Sequence, residues 1–219
     1  RADARWLSAF MALTAGLLAF LGVDALFEAF ELQAGLPAAL GGPGLVLLGV
    51  ALSYLGMTLL SARLGRGAGA TGLALALLVA IGIGVHNFGE GLAIGTSFAF
   101  GELQLGTFLI VGFMVHNLTE GLGIATPAAR ERVSLAALAG LALVAGAPAI
   151  LGAWIGGYTT SDVLGVLFFA VAAGAALQVV VEVGRYVARK APGGLGSGWA
   201  LGGFLAGIAV MYTTGLLIG

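Results

Sequence analysis

The sequence predicts an all-α fold, a polytopic membrane helix bundle of about seven transmembrane helices. Three observations predict it. Of 219 residues, 60% are hydrophobic and 9% charged, whereas a soluble domain carries roughly 25% charged residues. The apolar residues fall into seven long runs separated by turn signals. If every run crosses the membrane, all nine Lys and Arg fall on one side. Closed barrels need short alternating strands, and long uniform runs fit helices instead.

The first run covers 6–30, after Arg1 and Arg5. It is too long, and carries too much acid in Asp24 and Glu28, to read as a cleavable signal peptide. Gly41-Gly42-Pro43 turns the chain into the second run, 43–63, which ends at Arg63 and Arg66. Glycines from Gly65 to Gly69 lead to the third run, 71–100. A short turn between Gly101 and Gly106 gives the fourth, 105–127, closed by Pro127 and followed by Arg130 and Arg132. The fifth, 133–156, stops at Gly156-Gly157. The sixth, 162–187, runs into Arg185, Arg189 and Lys190, and then Pro192-Gly193-Gly194. The seventh covers 197–218. Each is near or above the roughly 20 residues a helix needs to cross the hydrocarbon layer.

The loops opposite the basic ones hold Glu31, Glu102 and Asp162 and no base. The positive-inside rule then makes the amino end cytoplasmic and the carboxyl end extracytoplasmic, as expected of a plasma (inner) membrane protein. An extra or missing crossing in the middle destroys this segregation. Trp6, Trp154, Tyr158 and Trp199 fall near span ends and read as interface anchors, while Tyr54 and Met57 read as packing. Residues 1–219 form one transmembrane domain whose solvent is the lipid bilayer.

Composition excludes other classes. Net charge is −1 and no basic stripe alternates with aromatics, so no nucleic-acid partner is expected. Cysteine is absent, which excludes disulfides and thiolate metal sites. Thirty-nine glycines let helix backbones approach closely. Those faces serve internal packing or a homodimer equally well. No GxxxxGK(S/T) phosphate loop is present, so direct ATP drive by this chain is not expected.

One polar phrase occurs twice in this apolar chain: VHNFGEGLAI from Val85 and VHNLTEGLGI from Val115. His86 and His116 are the only histidines. Ionisable residues deep in a span are expensive and usually functional. Residues i and i+4 share one helix face, so His86 adjoins Glu90 and His116 adjoins Glu120. The third and fourth runs are joined by a short loop and read as antiparallel neighbours. Facing each other, they gather two imidazoles and two carboxylates, a donor set that suits Zn²⁺ and also Fe²⁺, Mn²⁺ or Cd²⁺. A divalent cation offsets the two buried charges. Asn87 and Asn117 follow the histidines, and their amide oxygens can join the shell or hold a water. The bland alternative is interhelical hydrogen bonding alone. Two copies in register that use every histidine argue against it. Asn117-Leu118-Thr119 matches a glycosylation sequon but lies within a span.

At these residues the chain resembles the Zrt/Irt-like (ZIP) family of divalent-metal transporters, which carries HNxPEG-type motifs on its fourth and fifth transmembrane helices. Residues 15–28, AGLLAFLGVDALFE, are similar to that family's second helix, and residues 169–182, FAVAAGAALQVVVE, to its seventh. On this alignment the seven runs are equivalent to helices two to eight of the ZIP fold. Nearly the whole chain is covered, and the family's first helix has no counterpart in it. The resemblance implies metal uptake toward the cytoplasm through a site made by His86, Glu90, His116 and Glu120, with Asn87 and Asn117 leaning toward a second ion where one is held.

Three departures from the family stand out. Gly89 and Thr119 occupy positions where Pro often precedes the motif Glu. Ala147, in Ala145-Gly146-Ala147-Pro148, stands where many members place a Glu that bridges two metals. One transport-site ion is therefore expected, not a pair. The His-rich loop of many members is absent.

Other polar residues mark a candidate path. Asp24 and Glu28 lie a turn apart and can draw cations to the entrance, or be solvated interface acids. Gln178 and Glu182 lie a turn apart and can belong to a release route, or Glu182 can pair with Arg185 or Arg189 on its own helix. An intramembrane metalloenzyme of hydrolase type is the rival reading. The HxxxE spacing matches neither HExxH nor the Glu-x-x-His of di-iron bundles, and no nucleophile accompanies it, so an enzyme is not expected.

Overall fold

In the computed structural model, which describes residues 3–37, 42–65, 72–99, 101, 103–129, 131, 133–158 and 161–216, Asp3 caps the first helix. Its carboxylate accepts from the Arg5 backbone N–H at 2.9 Å. Helix α1 spans Ala4–Ala34, α2 Pro43–Gly65, α3 Gly72–Ala99 and α4 Leu103–Ala128. Helix α5 spans Leu135–Tyr158, α6 Asp162–Lys190 and α7 Gly198–Gly215, with a 3₁₀ turn at Gly194–Gly196. No strand occurs among the described residues. The chain is an all-helical bundle, and five of the described helices (α1, α2, α3, α5 and α6) are long and apolar enough to cross a membrane.

The helices alternate in direction. Leu26, Ala29, Val46 and Val166 cluster together, so the end of α1 meets the starts of α2 and α6. Leu7, Leu64, Ala128, Val187 and Ala200 share the main core, which gathers the opposite ends. Arg5, Arg63, Arg189 and Lys190 lie at this second end of their helices, and Glu31 and Asp162 at the first. Arg1, Arg66, Glu102, Arg130 and Arg132 lie outside the described residues. Between α3 and α4 the chain turns at Gly101, whose φ of +78° favours glycine.

The most extensive contacts outline two groups of helices, which also meet along α3 and α6. Helix α3 packs most extensively on α5 and next on α4; α1 packs on α6 and α7, and α2 on α6. Glycine explains how closely they pack. A Cβ on Gly84, Gly91 or Gly95 of α3 would collide with the carbonyls of Val144, Ala149 or Ala153 on α5. A Cβ on Gly152 or Gly156 of α5 would collide in turn with the carbonyls of Phe88 or Leu92. Backbone lies on backbone, a geometry that favours Cα–H···O contacts of about 0.5–1 kcal/mol each. Gly16, Gly203 and Gly207 seat α1 on α7 in the same way. Where the groups meet, glycines face side chains first. Gly82 lies against Val179, Gly89 against Phe169, and Gly123 against Thr14.

One contact ties a loop to the first group. Glu131, on the α4–α5 connection, accepts from the Leu73 N–H at 3.1 Å. A carboxylate there satisfies an orphan donor of the first turn of α3.

Candidate metal centre

Helix α3 runs unbroken through its copy of the repeated phrase, with glycine at Gly89 where a proline would kink it. Regular winding puts His86 and Glu90 on one face. His86 Nε2 stands 3.4 Å from Glu90 Oε1, and both side chains are buried. That separation is long for a strong hydrogen bond. It equals the edge of a tetrahedron, about 3.4 Å, whose corners lie roughly 2.0–2.2 Å from a central Zn²⁺. A weak hydrogen bond and a shared ion both fit that separation.

The second copy lies on α4. Glu120 is 2% exposed, and its carboxylate acts electrostatically on the His86 ring, as do those of Glu90 and Asp24. Glu120 itself lines a different cavity from His86 and Glu90. The backbone of His116 belongs to α4, but its side chain lies outside the described residues, as does that of Thr119. Among the described residues, no group of three or more His, Asp or Glu stands close enough to hold a metal. What is described is the His86–Glu90 pair with Glu120 in electrostatic range.

Asn87 holds a different position. Its Nδ2 donates to the Ala145 carbonyl of α5 at 3.1 Å. Its Oδ1 and that of Asn117 are buried without a hydrogen-bond partner among the described residues.

Two cavities flank this layer. One, of about 530 Å³, is lined by Asp24, Glu28, His86 and Glu90, among apolar and aromatic residues such as Phe113 and Phe169. The other, of about 340 Å³, is lined by Asn87, Asn117, Glu120 and Gly146. Along α4 the first takes Leu109 and Phe113, and the second takes residues from Asn117 to Ala125. Helix winding sends His86 and Glu90 into one chamber and Asn87 into the other.

Asp24 and Glu28 line the His86 chamber. Gln178 and Glu182 are each 2% exposed and line neither of these two cavities. Glu182 Oε2 lies 3.7 Å from Arg185 Nη1, the same-helix pairing that competes with a place on a release route. Trp6 stacks near Trp199 with ring centroids 5.2 Å apart, and Met57 belongs to the main core. Sequence reasoning did not find Phe169 or Glu131, since neither carries a motif and both act through long-range contacts. No known protein family and no curated protein matches this chain.

Proposed function

We propose that this chain transports divalent transition-metal cations, Zn²⁺ foremost, across a membrane into the cytoplasm, and is not an enzyme. The carrying observation is the buried His86–Glu90 pair, whose donor atoms stand 3.4 Å apart on the wall of a cavity. The repeated phrase supports a site completed by His116 and Glu120, and the resemblance to the ZIP family supports the same four ligands. The loop charges support seven crossings with an inward amino end, and the reading takes the membrane to be a plasma (inner) one. Iron, manganese and cadmium suit the same donors. The Ala147 position supports a single ion.

The proposed cycle uses the two helix groups. Acids at Asp24 and Glu28 draw a hydrated M²⁺ into the larger chamber. It exchanges water for His86 and Glu90, then for the α4 ligands. Helices α3, α4 and α5 then shift against α1, α2, α6 and α7, and the ion leaves through the Asn87 chamber. Rigid-body motion around a midplane site is a common transporter solution. Glycines that face side chains at the junction, and backbone at the α3–α5 contact, support that division.

Uptake of Zn²⁺, Fe²⁺, Mn²⁺ and Cd²⁺ into proteoliposomes tests the reading. Saturable uptake by the wild type, lost in Glu120→Ala, is expected. Uptake that survives Glu120→Ala sinks the site, and no metal-dependent flux under any gradient sinks the transport reading.

A further inference from the structure

A third cavity, of about 410 Å³, adjoins the His86 chamber and holds Thr96, Ser161 and Asp162. The two share Glu28, Ala93 and Phe169. Of these three, only Phe169 is large and wholly apolar. It projects from α6, and the edge of its ring lies along the backbone of Gly89. A Cβ there would stand 3.1 Å from Cε1 and 3.4 Å from Cδ1. Gly89 immediately precedes Glu90, so the ring rests beside the candidate ligand. Phe88 and Phe168 brace the same junction, with ring centroids 4.6 Å apart.

We infer that Phe169 is a gate, a movable apolar wall between an Asp162-side antechamber and the chamber that holds His86 and Glu90. The inference rests on the transport reading for its purpose, but its geometry does not. A hydrated cation cannot pass an aromatic ring at close quarters without shedding water, and desolvation of an ion is costly. Glu28 borders both chambers, so its carboxylate serves an ion on either side of the ring. Phe169 belongs to one helix group and Gly89 to the other. Sliding of α3 along α6 therefore carries Gly89 away from the ring, so the gate shifts with the motion that exposes the site. Glycine at position 89 gives the seat its closeness, because even a methyl group there needs the ring to give way by a few tenths of an ångström. The departure from the family's proline thus has a role of its own in this chain.

The chain contains no cysteine, which permits a direct test with single introduced cysteines. Thr96→Cys reports the antechamber and Leu109→Cys the inner chamber. A membrane-impermeant methanethiosulfonate reagent is added to the Asp162 side of proteoliposomes. With Phe169 in place, Thr96→Cys is expected to label fast and Leu109→Cys slowly. With Phe169→Ala, Leu109→Cys should label roughly tenfold faster, as expected when a gating element is removed. Thr96→Cys should keep its rate, which shows that the fold is intact. Equal labelling of Leu109→Cys with and without Phe169 overturns the gate. If Phe169→Ala does not assemble, Phe169→Leu decides by the same criterion. Labelling needs no metal. A Phe169-dependent rate in a protein without metal flux keeps the gate and removes the transport reading; the converse removes the gate alone.

Discussion

His86 Nε2 and Glu90 Oε1 stand 3.4 Å apart across one turn of α3, both buried. If the pair shares an ion, each donor is needed. Glu90→Gln keeps the size and removes the charge. Zn²⁺ affinity measured by calorimetry in detergent should fall by roughly 10- to 100-fold or more, at least the effect seen for residues that merely support ligands. His86→Gln should do the same. Wild-type affinity in Glu90→Gln would show that the pair is only a hydrogen bond.

The α3–α5 contact predicts a stability pattern. Gly91→Val and Gly152→Val each drive a side chain into a facing carbonyl. Overpacking of this kind costs about 1–3 kcal/mol, and here the backbone cannot easily give way. Gly140→Ala, on the same helix α5, meets nothing within 4 Å and should leave Tm unchanged. Thermal unfolding in detergent that ranks all three together would contradict the backbone seat.

Asn87 predicts a split between stability and activity. Replacing it with Leu removes the bond to Ala145 and the buried amide oxygen of a residue that lines the second chamber. Interhelical hydrogen bonds in membranes contribute about 0.6 kcal/mol on average, so Tm should move little. Uptake should fall further, through kcat more than KM, if the oxygen serves the departing ion. Unchanged uptake with a large loss of Tm would make Asn87 a strut.

Ala147 predicts stoichiometry. The wild type should hold one transport-site ion by metal analysis of purified protein. On the proposed reading, Ala147→Glu places a carboxylate where many ZIP transporters carry one, and should raise the count to two. Two ions in the wild type would refute the single-ion reading.

Helix order and the His–Glu face were legible because both follow from local periodicity. Apolar runs set the helices, and the spacing of four residues set the face. The partner of α3 was not legible. The short Gly101 turn points to α4, yet α5 is the more extensive neighbour. The glycines that decide this, Gly84, Gly91 and Gly95 against Gly152 and Gly156, are visible in the sequence. Nothing in their spacing says which helix they meet. The two chambers were equally hidden, since a cavity belongs to several helices at once. Phe169 looks in the sequence like any apolar residue of a span.

The unbroken course of α3 has a further consequence. With no proline or unwound turn between His86 and Glu90, the axial distance between them is fixed at about 6 Å by the rise of the helix. An ion held by both is bolted to a rigid rod. Its depth in the bilayer is then a gauge of where the rod stands, so a luminescent or paramagnetic cation at this position would read the stroke of the whole helix group in ångströms.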